Sequence, residues 1–219
     1  MSPASGGPPS DGTTVDWLAR LKARGAVLEG HFRLTSGLHS PAYVQCALLL
    51  QHPGDAALAG AAIVERLAPL VGARPDVVVS PAIGGIVLGH EVARAWGCRA
   101  IWAERDTAAP GAPLAFRRGF TIEPGERVAA IEDVVTTAGS LRELAALAEA
   151  AGGTVVAAGA IVDRSGGAAT WDVPWAALAV VDAPRHDPGE CPLCAKGVPL
   201  TRPGSRPEGT KAGDGRIHS

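Results

Sequence analysis

The run Glu132-Asp133-Val134-Val135-Thr136-Thr137-Ala138-Gly139-Ser140 joins two acids, a hydroxyl-rich turn and small residues in nine consecutive positions. It follows the apolar Val128 to Ile131 and leads into an amphipathic stretch from about Ser140 to Ala151, so it reads as a buried strand, a turn and a helix start. Backbone N–H groups at such a turn and at a helix N-terminus point outward with partial positive charge, which makes a phosphate cradle. The hydroxyls of Thr136, Thr137 and Ser140 add donors, and small Ala138 and Gly139 let an anion approach the backbone. Beside an anion pocket, Glu132 and Asp133 have no use for a second anion; the vicinal hydroxyls of a ribose, or a magnesium ion, fit them. An ordinary strand–turn–helix with Asp133 as a cap is the plainer alternative. The full run is more specific than a cap requires. No Gly-x-x-x-x-Gly-Lys-Ser/Thr occurs, and no Gly-x-Gly-x-x-Gly follows a strand, which excludes the common nucleotide loops.

The elements that must hold this segment follow from the apolar pattern. Val77–Val79, Ala100–Ala103, Val128–Ile131, Thr154–Val162 and Ala176–Val181 are short apolar strands, with helical patterns between them. One helix runs on through Trp96, and another opens at His52-Pro53-Gly54-Asp55 with Ile63, Leu67 and Leu70 on one face. Thr14 to Arg24 is a shorter amphipathic helix. The fold class is therefore α/β: an open parallel sheet of about five strands with helices on both faces. Ligands in such sheets sit beyond the carboxyl ends of the strands.

With 219 residues, 47% of them hydrophobic, the chain suits one domain of ordinary size. Its longest apolar runs, such as Ala42 to Leu50, fall short of the roughly 20 residues of a membrane span. Twenty Lys and Arg against twenty-two Asp and Glu argue against a nucleic-acid binder held by bulk charge. The first dozen residues lack a basic start and an apolar stretch, so a cytoplasmic location is expected. Residues 1–12 and 207–219 are Gly-, Pro- and polar-rich and are expected to be disordered.

The acidic and hydroxyl-rich run resembles the phosphoribosyl-pyrophosphate motif of type I phosphoribosyltransferases. Further stretches are similar to the orotate phosphoribosyltransferase family: Leu34-Thr35-Ser36-Gly37-Leu38-His39-Ser40-Pro41 with Tyr43, the loop Ser80-Pro81-Ala82-Ile83-Gly84-Gly85-Ile86, and Val162-Asp163-Arg164. Cys191-Pro192-Leu193-Cys194 followed by Pro203-Gly204-Ser205-Arg206 resembles a C-terminal signature of one bacterial branch, and the likeness runs from about Val27 to Arg206. The resemblance implies a single domain over 13–206, with a small N-terminal hood built from 13–50 and 185–206 and a mobile lid over 104–119. It implies transfer of a phosphoribosyl group from 5-phosphoribosyl 1-pyrophosphate to orotate, with Mg²⁺ bound mainly through the pyrophosphate and no protein metal ligand. A homodimer with shared active sites is the implied assembly, with no nucleic acid and no membrane as partner. A phosphoribosyltransferase for another nucleobase, or a non-catalytic sensor of the same sugar donor, are the alternatives.

Carried over residue by residue, Glu132 and Asp133 contact the ribose hydroxyls, Val134 to Ser140 surround the 5′-phosphate, and Ala82, Ile83, Gly84 and Gly85 cradle the pyrophosphate. Thr136, Arg164 and Tyr43 border orotate, Arg164 through a planar fork suited to adjacent oxygens. The catalytic set is Asp133, Glu132 and Arg105. The stretch Glu104 to Gly119 has no lysine and no histidine, where the family's lid usually carries both; its cations are Arg105, Arg117 and Arg118, and the last two are taken to act on the pyrophosphate in their place. Ala138 stands where many members have Gly, at a position expected not to need positive φ, and Thr35 stands where some members have Lys.

Cys191-x-x-Cys194 has the spacing of half a zinc site, but a structural site needs four ligands and the sequence shows one pair, with His186 and Asp187 nearby. Cys46 and Cys98 sit in apolar contexts and read as core, His31, His52 and His90 as packing or surface residues, and His39 as a substrate contact or a cap.

Overall fold

The computed structural model describes residues 15–34, 36–106, 108–109 and 111–202. The expected disordered ends, Thr35 and the Pro203–Arg206 signature lie outside the described residues. The elements in chain order are α1 (Trp17–Ala23), β1 (Val27–Arg33), β2 (His39–Val44), α2 (Ala47–Leu50), α3 (Pro53–Val71), β3 (Val77–Pro81), α4 (Gly85–Trp96), β4 (Arg99–Glu104), β5 (Ala115–Phe116), β6 (Arg127–Val135), α5 (Gly139–Ala150), β7 (Thr154–Asp163), β8 (Trp175–Val180), a 3₁₀ turn (Pro188–Glu190) and α6 (Pro192–Ala195).

Apolar runs too short for helices, separated by helical stretches, pair as a parallel sheet in the order β5-β4-β3-β6-β7-β8. The five expected strands are β3, β4, β6, β7 and β8; β5 is an addition, antiparallel to β4 with Phe116 opposite Ala103. It forms inside the stretch expected to be a mobile lid, because Ala115 and Phe116 can use the free edge of β4. Strand β6 also runs four residues past Ile131. Its acids stay in the ladder with β7, Glu132 opposite Ala160 and Val135 opposite Asp163, because β7 is long enough to pair with them.

The chain leaves β3 toward β4 and leaves β6 toward β7, in opposite directions, although β3 and β6 are neighbours. Their carboxyl ends therefore part at a topological switch point, and α4 and α5 both begin there, on opposite faces of the sheet. Along the central strands the side chains alternate between the two cores. Val78, Ala129 and Ile131 face the layer with α3 and α4, while Val77, Val79, Val128 and Ala130 face the layer with α5. In α3, Ile63 and Leu67 are fully buried, but Leu70 is exposed, so the apolar stripe stops short of the helix end.

The first and last segments close over one end of this frame. Buried Asp55 near the start of α3 accepts from Arg20 and Arg24, which fastens α1. Burial pushes its carboxyl up, but those two arginine hydrogen bonds outweigh it and leave it below the usual range. The hairpin β1–β2 is laced to the C-terminal segment: Thr201 donates to the carbonyl of His31 at 2.8 Å, and His39 and His186 exchange backbone hydrogen bonds at 2.9 Å. Among the described residues no helix is long and apolar enough to cross a membrane.

Candidate functional site

A cavity of about 130 Å³ opens at the switch point. Ala82, Gly84 and Gly85 line it from the end of β3, Glu132, Asp133 and Ser140 from the end of β6, and Arg105 and Leu114 from the lid stretch. Gly84 makes this approach possible: a Cβ there would stand 2.7 Å from Asp133 Oδ2. The Ala82–Ile83 peptide is cis and the Ile83 side chain is exposed. With Ile83 turned out and no side chain on Gly84 or Gly85, the loop offers its backbone, at the start of twelve-residue α4, to anything lodged beside the acids.

Both acids are half-buried where they line the cavity. Burial, with Asp133 as a second cause and Arg105 opposing, pushes the Glu132 carboxyl up to about 8. Burial also raises Asp133, against hydrogen bonds from its own N–H and that of Val134. Cys46, fully buried below them, donates to the Asp133 carbonyl at 3.6 Å, and burial pushes its thiol up. Two neighbouring carboxyls that resist ionisation suit a ligand that brings hydroxyl donors or positive charge.

The turn after β6 is wound tightly onto α5. Val135 and Ala138 bury their side chains, so they can give a ligand only their backbone; Thr137, Gly139 and Ser140 are exposed and Thr136 is half-buried. Ala138 has φ +60°, so the expectation that this position avoids positive φ is corrected. The left-handed residue reverses the chain between the strand and α5, which is why Gly suits the place.

Arg164 lies directly beside this turn, since its N–H donates to the Val135 carbonyl at 2.7 Å. Asp163 Oδ1 accepts from the Ser165 N–H and bends the chain away after β7. Among the described residues the Arg164 guanidinium makes only long contacts, 3.4 Å to Ser40 Oγ and 3.4 Å to the Ala42 carbonyl, and its buried Nε has no partner. Burial and nearby Arg185 pull its pKa down, while the Tyr43 phenol opposes them. It faces a second cavity of about 450 Å³ shared with Thr136, Thr137, Arg142, Asp182 and Arg185. Tyr43 stays outside that lining and tilts against Phe32, ring centroids 5.9 Å apart.

The lid arginines divide. Arg105 reaches the acid cavity while forming a two-pronged ion pair with Glu143 of α5 and donating to the Ala112 carbonyl. Arg118 pairs with Glu104 and Arg117 sits 3.5 Å from Asp106, and neither lines the cavity. Sequence reasoning passed over Glu143, which also accepts the Leu114 N–H, and over Arg142 and Arg185. Arg142 donates to the Thr170 carbonyl and lies 5.7 Å from the Trp171 ring centre. All three follow strand ends of the sheet, which was the available signal.

The histidine reading also changes. His31 and His39 are buried and meet Cys191 and Cys194 at one point, whereas Cys98 is only half-buried rather than core.

The family described as "Phosphoribosyl transferase domain" matches residues 47–182. An orotate phosphoribosyltransferase of Pelotomaculum thermopropionicum is 47% identical over 89% of this chain and 98% of that protein. One of Thermus thermophilus is 48% identical over 85% of this chain and 98% of its own length. Among solved structures, orotate phosphoribosyltransferase from Aeropyrum pernix matches with a TM-score of 0.61 and 28% identity, over 74% of this chain and 91% of that one.

Proposed function

The chain belongs to the orotate phosphoribosyltransferase family, and from that membership we propose that it transfers the phosphoribosyl group of 5-phosphoribosyl 1-pyrophosphate to orotate, giving orotidine 5′-monophosphate and pyrophosphate in pyrimidine nucleotide synthesis. The observation that carries the acceptor's identity is Arg164. A half-buried arginine whose buried Nε has no partner among the described residues, one residue past β7 and bonded through its backbone to the end of β6, suits a planar anion with adjacent oxygens.

Breaking the anomeric C–O bond builds positive charge on the ribose, so catalysis needs a held sugar, a stabilised leaving group and an aimed nitrogen nucleophile. The α5 N-terminus with Thr136, Thr137 and Ser140 takes the 5′-phosphate, and Glu132 and Asp133 accept from the ribose hydroxyls. Backbone of Ala82 to Gly85 and the Arg105 charge receive the departing pyrophosphate. Arg105 stays charged at every working pH, so it stabilises the leaving group without donating a proton to it. Mg²⁺ would fit this setting, where the Glu132 and Asp133 carboxyls and the Ser140 hydroxyl are hard oxygen groups lining the cavity, and it would be held mainly by the donor's own oxygens. When bound, the ion neutralises pyrophosphate charge.

The active unit is a homodimer in which Arg117 and Arg118 of each lid serve the other chain's site while Arg105 serves its own; Arg117 and Arg118 not reaching the cavity of their own chain supports this. Both substrates are charged metabolites, so we place the reaction in the cytoplasm. A panel of nucleobases with the sugar donor, with and without Mg²⁺, tests the reading through pyrophosphate release. Release with orotate and Mg²⁺ is the expected result. Release only with another base would reassign the acceptor, and donor binding without release over any base would make the protein a sensor.

A further inference from the structure

Transfer chemistry leaves four side chains unused: His31 on β1, His39 on β2, Cys191 after the 3₁₀ turn and Cys194 in α6. The two pairs are separated by about 150 residues of chain, yet one ligand atom from each lies within 4.8 Å of all the others. His31 Nε2 stands 3.0 Å from His39 Nδ1, 3.5 Å from Cys191 Sγ and 3.7 Å from Cys194 Sγ, and Cys194 Sγ is 3.3 Å from His39 Nδ1. A tetrahedron with Zn–N near 2.0–2.1 Å and Zn–S near 2.3 Å has N···N edges of about 3.4 Å and N···S edges of about 3.6 Å. The four distances scatter around those edges.

Protonation points the same way. His31 Nδ1 is 2.8 Å from the Val198 carbonyl, which can only accept, so Nδ1 carries the hydrogen and Nε2 turns a lone pair into the cluster. This is the outer hydrogen bond that fixes a metal-bound imidazole. Three neighbours crowd that one lone pair, and it can take a hydrogen from only one of them. A cation at the centre satisfies all four atoms together.

We propose that His31, His39, Cys191 and Cys194 form a Cys₂His₂ structural zinc site. Four protein ligands close the coordination sphere, which suits structure rather than catalysis. From 182 to 202 only Ala183 and Cys191 are buried, so apolar packing holds this segment weakly. The metal clamps it to the hairpin, and the hairpin carries Ser40 and Ala42 to Arg164. The site does not depend on which base the enzyme uses.

Full-length protein, purified without a histidine tag and without added metal, is expected to hold about one zinc per chain by elemental analysis. Exchange with Co²⁺ should give the visible bands of a tetrahedral ion and a thiolate charge-transfer band. Cys194→Ser and His31→Gln should each abolish the metal, and Cys98→Ser should not. Stripping zinc from the wild-type protein should make trypsin cut first after Arg185 and Lys196, a readout that needs no folded variant. Absence of zinc together with absence of cobalt bands would overturn the site, as would a Cys191–Cys194 disulfide in metal-free protein. A tryptic pattern unchanged by zinc removal would overturn the clamp.

Discussion

In the proposed reaction Glu132 accepts from a sugar diol, yet burial and Asp133 hold its proton on up to about pH 8. Its pKa is raised on folding from 4.5, so the folded chain binds the extra proton between those values. Stability from this group is complete below about pH 4.5 and is lost as pH rises through about 8. Glu132→Gln should therefore gain on the wild type across that window, reaching on the order of a few kcal/mol at alkaline pH, as denaturant titrations would show. Donor affinity of the wild type should rise by up to about tenfold per pH unit below 8, and the variant should lack that component. Equal calorimetric pH profiles for the two would remove Glu132 from the diol contact. Arg164 permits a sharper separation, because Lys keeps its charge and loses its fork. Arg164→Lys should lower kcat/KM for orotate on the order of 100-fold and leave donor binding unchanged. Similar losses toward both substrates would mean that it acts by holding the hairpin through Ser40 and Ala42.

At the scale of elements, the site is two helix starts set on adjacent strand ends. Ala138 is the strained joint of one, left-handed at φ +60° and buried. Ala138→Gly should raise stability by about 0.5–1 kcal/mol in chemical denaturation, the relief of backbone strain exceeding the lost methyl burial. A destabilised variant would show that the methyl packing governs. The described residues of the lid stretch are likewise tied to the frame. Strand β5 borrows the edge of β4, and Glu143 holds Arg105 and Leu114. The free edge and the helix face that make this possible come from distant parts of the chain.

For the whole molecule, the sheet order places the cavity and the dimer reading determines what completes it. If lids serve neighbouring sites, mixing Asp133→Ala chains with Arg117→Ala/Arg118→Ala chains should restore activity to about a quarter of wild type, since half the dimers then carry one intact site. No recovery after subunit exchange would assign each lid to its own chain.

Five parallel strands and the strand–turn–helix that holds the acid pair were legible in the residues, because apolar runs between helical stretches and a hydroxyl-rich turn are local signals. The place of Arg164, one residue past a strand end, was legible for the same reason. Contacts between remote segments were not. The switch point that joins Gly84 to Asp133, the Glu143 hold on Arg105 and the meeting of His31 and His39 with Cys191 and Cys194 all depend on how the sheet is ordered and how the C-terminal segment returns to the hairpin. Spacing along a chain reports which residues share a helix face or a strand face. Which distant faces touch is decided by packing alone.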